Sequence, residues 1–124
     1  MANEIAASGS LGYNNPLTVS GPVGKAVSGL QANSTEALGP SGGNITILTS
    51  PTQIPLGSVI SPGWAWFRNM DPTNYVQIMP GSGGAYLIRL LPGEFALFPL
   101  DSGAAPYAIA NTAPIDLEYL ITSR

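Results

Sequence analysis

The sequence predicts an all-β fold, a single-domain antiparallel β-sandwich or jelly roll of about eight short strands. Fifteen glycines and twelve prolines are spread over the 124 residues, which leaves few stretches where three turns of helix can run uninterrupted. The closing segment alternates: Ile115, Leu117, Tyr119 and Ile121 point one way, while Asp116, Glu118, Leu120 and Thr122 point the other. That is the period of a strand with one buried face. Further short β-rich segments precede it at regular spacing, each bounded by turn residues, as in a sandwich or jelly roll.

Taken in order, residues 1–15 are small and polar and read as a flexible arm or an edge strand lying on a neighbour; residues 16–124 form the β domain. Segments 16–23, 25–30 and 44–50 read as strands, 36–43 as a loop and Val59-Ile60 as a short addition. Between 26 and 38 a helical turn stays open, because Val27, Leu30 and Leu38 do not settle the period. Trp64 to Asn69 is an aromatic-rich strand. Asp71-Pro72-Thr73-Asn74 is a turn, with Asp at its first position and Pro where φ is fixed near −65°. Tyr75 to Met79 follows as a strand, so that 64–79 reads as a hairpin ending in Pro80-Gly81-Ser82-Gly83-Gly84. Segments 85–91 and 94–100, joined by the tight turn Pro92-Gly93, read as a second hairpin. A short extended piece, 107–110, precedes the final strand.

Charge is scarce: 9% of residues against roughly 25% in ordinary soluble domains. A surface so poor in charge protects weakly against association and points to an exterior covered by neighbouring chains; a monomer with a neutral polar surface is the other reading. Lys25, Arg68, Arg89 and Arg124 are scattered and outnumbered by seven acids, so the clustered positive footprint of a nucleic-acid binder is missing. The longest apolar runs fall far short of the roughly 18 residues that span a bilayer as a helix. The first residues have neither the basic start nor the apolar stretch of a secretory signal. The chain has no cysteine, which suits assembly in a reducing cytosol.

The absence of histidine removes the commonest general base and metal ligand; with cysteine also missing, nucleophilic triads and ordinary zinc sites are excluded. No catalytic, cofactor or metal residue is therefore expected. A carboxylate-only glycosidase is the remaining enzymatic reading, with Asp116 and Glu118 on one face of a strand, but the exposed phase of a regular strand accounts for both more simply. Arg89 and Glu94 are placed as a cross-hairpin pair. The oxygens of Asn69, Asp71, Thr73 and Asn74 bring one carboxylate, too little for a tight calcium site, and such residues already serve a turn by bonding its backbone. Gly81-Ser82-Gly83-Gly84 lacks the lysine and helix of a phosphate loop. An isopeptide bond from Lys25 requires an apolar site with a catalytic acid, and nothing in its surroundings marks one.

The aromatic residues carry more. Trp64 and Trp66 share one face of their strand and Phe67 takes the other. One face belongs to the core, and the other is either core too or an anchor surface for a partner. The candidate interface is Trp64, Trp66, Arg68, Asn69, Asp71, Asn74 and Tyr75. Paired tryptophans also suit a carbohydrate platform.

Residues 63–76, Gly-Trp-Ala-Trp-Phe-Arg-Asn-Met-Asp-Pro-Thr-Asn-Tyr-Val, resemble a segment of small virion proteins from the structural modules of tailed bacteriophages. The likeness continues through Leu91-Pro92-Gly93-Glu94, Ala105-Pro106-Tyr107-Ala108, Ala110-Asn111-Thr112 and Leu117-Glu118-Tyr119-Leu120-Ile121, and covers roughly Pro62 to the end. The resemblance implies a small β protein of the particle, of the kind that decorates or cements a capsid. Its partner would be the major capsid protein, it would form a homo-oligomer, a trimer by preference, and it would sit on the virion after assembly in the host cytoplasm. It implies no cofactor, no direct nucleic-acid contact and no membrane. A carbohydrate-binding or adhesion module of a tail or fibre is the alternative.

Overall fold

The computed structural model describes residues 5–13, 23–32 and 40–123. The chain divides into two compact units, Met1–Ser34 and Thr35–Arg124.

In the first unit, β1 (Ile5–Tyr13) and β2 (Val23–Ala32) form an antiparallel two-stranded sheet, with a register shift between Ala7 and Gly9. Segment 25–30 is thus strand, and 26–32 holds no helical turn. The expected strand at 16–23 lies, apart from Val23, outside the described residues, as do residues 36–39 of the expected loop.

The second unit is a jelly roll. Its eight strands are β3 (Ser41–Ile47), β4 (Thr52–Gln53), β5 (Pro62–Asn69), β6 (Val76–Met79), β7 (Ile88–Leu90), β8 (Phe95–Pro99), β9 (Tyr107–Ala110) and β10 (Ile115–Ser123). They form two antiparallel sheets, β3-β10-β5-β8 and β4-β9-β6-β7. The pairs β3 with β10, β4 with β9, β5 with β8 and β6 with β7 nest inside one another, as in one long hairpin rolled up until β10 meets β5 and β9 meets β6.

This topology corrects both expected hairpins. β5 and β6 lie in different sheets, and so do β7 and β8; among the described residues of this unit only β6 and β7 are consecutive and paired. In a jelly roll most connections cross from one sheet to the other, against the usual tendency of consecutive strands to be neighbours. Two boundaries also shift. β3 begins at Ser41, inside the expected loop, and the short strand falls at Thr52–Gln53 instead of Val59-Ile60. Val59 closes a turn through Val59 N donating to Leu56 O (2.9 Å) and is a core residue.

The core lies between the sheets. One sheet contributes Ile47, Phe67, Ile115, Leu117 and Ile121; the other contributes Val76, Ile78, Leu90, Ala108 and Ala110. Along β10 the burial alternates without a break, as its sequence predicts. Removing these side chains from water, about 1.5–3 kcal/mol for each large one, is what offsets the ordering of so glycine-rich a chain.

Candidate functional site

The candidate interface residues separate into four environments. Trp64, Trp66 and Arg68 lie on the outer face of the β3-β10-β5-β8 sheet, because Ala65, Phe67 and Asn69 take the inner phase of β5. Asn69 is fully buried, Asp71 and Asn74 belong to the following turn, and Tyr75 stands before β6 in the other sheet.

Asn69 joins one end of the sandwich together. Its side-chain Nδ2 donates to Asn74 O (2.8 Å) and Leu90 O (3.0 Å), and its Oδ1 accepts from Asp71 N (2.9 Å). Its backbone N donates to Glu94 O and its backbone O accepts from Gly93 N, both at 2.9 Å. A single buried residue thus connects β5 through its side chain to the 71–74 turn and β7, and through its backbone to the Pro92-Gly93 turn. Buried polar groups are tolerated when satisfied in this way, and Asn69 is a positioning residue, closed to any partner.

Asp71 then shapes the turn. Its Oδ2 accepts from Thr73 N (2.9 Å), Asn74 N (2.6 Å) and Thr73 Oγ1 (3.2 Å). The backbone amides of Asn74 and Thr73 hold its carboxyl below the usual carboxylate range. These oxygens are spent on the chain's own donors, as the turn reading has it. Among the described residues no three His, Cys, Asp or Glu side chains gather as a metal site would need.

The expected Arg89–Glu94 pair is replaced by two local contacts. The Arg89 guanidinium lies 4.4 Å from the centre of the Tyr75 ring, a cation–π contact. Glu94 Oε1 instead accepts from Leu91 N at 2.8 Å, clasping the turn in which Gly93 takes φ +81°. The cause is topological: β7 and β8 diverge into different sheets after that turn.

The outer face of the β3-β10-β5-β8 sheet is the most distinctive surface of this unit. Register places Leu120, Trp66 and Leu97 in one cross-strand row; Asn44, Glu118, Arg68 and Phe95 form the next. The Trp66 indole leans from its own row into the second one. It stacks on Phe95, with centroids 5.0 Å apart and planes at 19°, and its Nε1 donates to Glu118 Oε1 at 2.9 Å. Held on both sides, the indole has its orientation fixed before any partner arrives. Around it Phe95 is 56% exposed and Leu120 42% exposed. A shallow groove of about 380 Å³ runs beside it, lined by Asn44, Trp66, Glu118 and Leu120. Glu118, one of the two carboxylates of the glycosidase reading, is the indole's hydrogen-bond acceptor.

Phe95 and Leu97 complete this face and are not singled out by the sequence. Every residue from Phe95 to Leu100 is apolar, so alternation gives them no phase; only pairing with β5 shows which ones face outward. A second apolar feature, a cleft of about 250 Å³ lined by Ile78, Met79, Leu87, Phe98 and Leu100, opens at one edge of the sandwich. Among the described residues no helix is long and apolar enough to cross a membrane.

The fold and this surface together define a jelly-roll protein with a partly exposed, preorganised aromatic sheet face. Compared with protein-family models, with curated proteins and with solved structures, the chain gives no match.

Proposed function

We propose that this chain is a non-enzymatic structural protein of a bacteriophage particle, one that binds the major capsid protein and stabilises the shell as a cement or decoration protein. The observation that carries the reading is the outer face built on Trp66, Phe95, Leu97 and Leu120, an apolar surface with its central aromatic fixed in place. Anchors of this kind dominate protein interfaces, since a rigid ring contributes area at little entropic cost. The jelly roll is a recurrent architecture of viral capsid and lectin domains, which supports the reading by analogy alone. Low charge suits a surface laid against a shell, and many copies would multiply a modest contact into firm cementing.

The test is co-sedimentation with particles stripped of this protein. Trp66→Ala is expected to keep its jelly roll, as judged by urea unfolding, and to lose binding by at least ~30-fold, in line with a hot-spot truncation of about 2 kcal/mol or more. A folded Trp66→Ala chain that binds like the parent would sink the proposal.

One observation favours a second reading. The groove sets Asn44 and Glu118 beside the Trp66 ring, polar groups next to an aromatic surface, as a carbohydrate-binding module of a tail or fibre would have. Glycan-array binding that Trp66→Ala abolishes, in a protein that ignores capsids, would select it.

A further inference from the structure

The two sheets of the second unit part at one edge, and the turn at residues 91–94 sets where. β7 and β8 run from that turn into different sheets, so their far ends, at Ile88 and Phe98, stand on opposite walls of the cleft of about 250 Å³. β7 is only three residues long, and residues 80–87 before it form no strand, so no ladder closes the gap. The floor is the core itself: Ile78 and Leu100 belong to the buried cluster, while Ile88, Phe98 and Ala104 pack against it and stay partly exposed. A tight turn holds one wall in place. Gly84 N donates to Gly81 O (3.1 Å), and a Cβ on Gly84 would lie 2.8 Å from Pro80 Cδ, well inside packing distance. At the rim, Leu87 is 91% exposed.

The walls are apolar side chains throughout. A peptide strand or a sugar entering them would give up water from its polar groups and gain no hydrogen bond in return, whereas a hydrocarbon group carries no such cost. We propose that the cleft binds the tail of a single-chain amphiphile with a cationic head, the tail lying between Ile88 and Phe98 and the head left in water beside Asp101. Size sets the tail. An apolar cavity of about 150 Å³ is enough for benzene, so this cleft holds a chain of roughly eight carbons. Charge sets the head. Within residues 78–88 and 98–106, the segments that build the walls, Asp101 is the only charged residue. It is exposed between the lining residues Leu100 and Ala104, in a turn fixed by Gly103 N donating to Asp101 Oδ2 (3.1 Å) and Ala104 N to Asp101 O (3.0 Å). A carboxylate there attracts an ammonium and repels another carboxylate. The bound tail also takes Leu87 out of water. None of the lining residues belongs to the outer aromatic face, so this site and the capsid reading can each fail alone.

Calorimetric titration of the full chain with butyl-, hexyl-, octyl- and decylammonium chloride is expected to show one site. Affinity should rise about 4-fold per added methylene, the equivalent of about 0.8 kcal/mol each, and level off from octyl to decyl once the cleft is full. Octanoate should bind at least ~2-fold more weakly than octylammonium, and Asp101→Asn should erase that preference. Ala104→Leu, which fills the cleft, should weaken octylammonium at least ~10-fold; Leu87→Ala, at an exposed position where folding is not at stake, should weaken it about 5-fold. In the parent, the methyl resonances of Leu87, Ile88 and Leu100 should shift with saturation. No saturable binding, affinity that keeps rising beyond octyl, equal binding of octanoate and octylammonium, binding indifferent to Leu87→Ala, or shifts confined to Leu97 and Leu120 of the outer face overturns the proposal.

Discussion

On the inner side of β5, Ala65, Phe67 and Asn69 are sealed from solvent; on the outer side, Trp64 and Trp66 are half-covered and Arg68 is exposed. Each side has aromatic bulk and a polar group, so residue type alone does not tell them apart. Partner geometry does. Phe67 meets Phe98 of the neighbouring strand β8, with centroids 5.8 Å apart, and Asn69 finds a partner for each polar group. Trp66 has one ring and one carboxylate beside it and stays partly exposed. The inner side is built for stability; the outer side is the one that the proposed function turns toward a partner.

Truncating the two sides should therefore give unequal losses. Phe67→Ala removes the largest fully buried side chain and is expected to cost about 3–5 kcal/mol, measured as a shift of the urea midpoint. Asn69→Ala comes next. It strands Asn74 O, Leu90 O and Asp71 N at one end of the sandwich, and an unsatisfied buried group costs about 1–3 kcal/mol; a loss of about 3 kcal/mol is expected. Trp66→Ala should cost less, about 2 kcal/mol, the sum of one stacked pair and one part-exposed hydrogen bond at about 1 kcal/mol each. If Trp66→Ala proved as damaging as Phe67→Ala, the outer face would have to be counted as core.

The same contrast explains what the sequence made legible. β10 could be read residue by residue because Asp116 and Glu118 interrupt its apolar set, and the split of Trp64 and Trp66 from Phe67 follows from strand periodicity. The all-β class and the Pro92-Gly93 turn were equally plain. The sheet crossings were not, since turn residues such as Asp71-Pro72 look alike whether the next strand returns beside the last or passes to the other sheet. Burial of Asn69 was hidden for a related reason: the partners that seal it from the rest of the sandwich, among them Leu90 and Glu94, are more than twenty residues away. On β2, Val27 and Leu30 left the period unsettled: the bulge between them gives two residues of one strand face a three-residue, helix-like spacing, and no local pattern announces a bulge.

The smallest expected effect belongs to the turn that follows Asn69. Asp71 is held ionised by the amides of Asn74 and Thr73, its pKa lowered from 3.8. For a carboxylate whose folded pKa lies below its unfolded value, the unfolded state binds protons more readily, so the stabilisation is present above the unfolded pKa and fades as pH falls through the folded one. Asp71→Asn keeps an acceptor oxygen at the turn and removes the titration. The parent should be the more stable of the two at neutral pH, and the gap should close only as the solution is acidified below about pH 4. Comparing urea midpoints of the two proteins from pH 7 down to pH 2.5 measures it. A gap that stayed constant over that range would mean that the charge on Asp71 is irrelevant and that shape alone holds the turn.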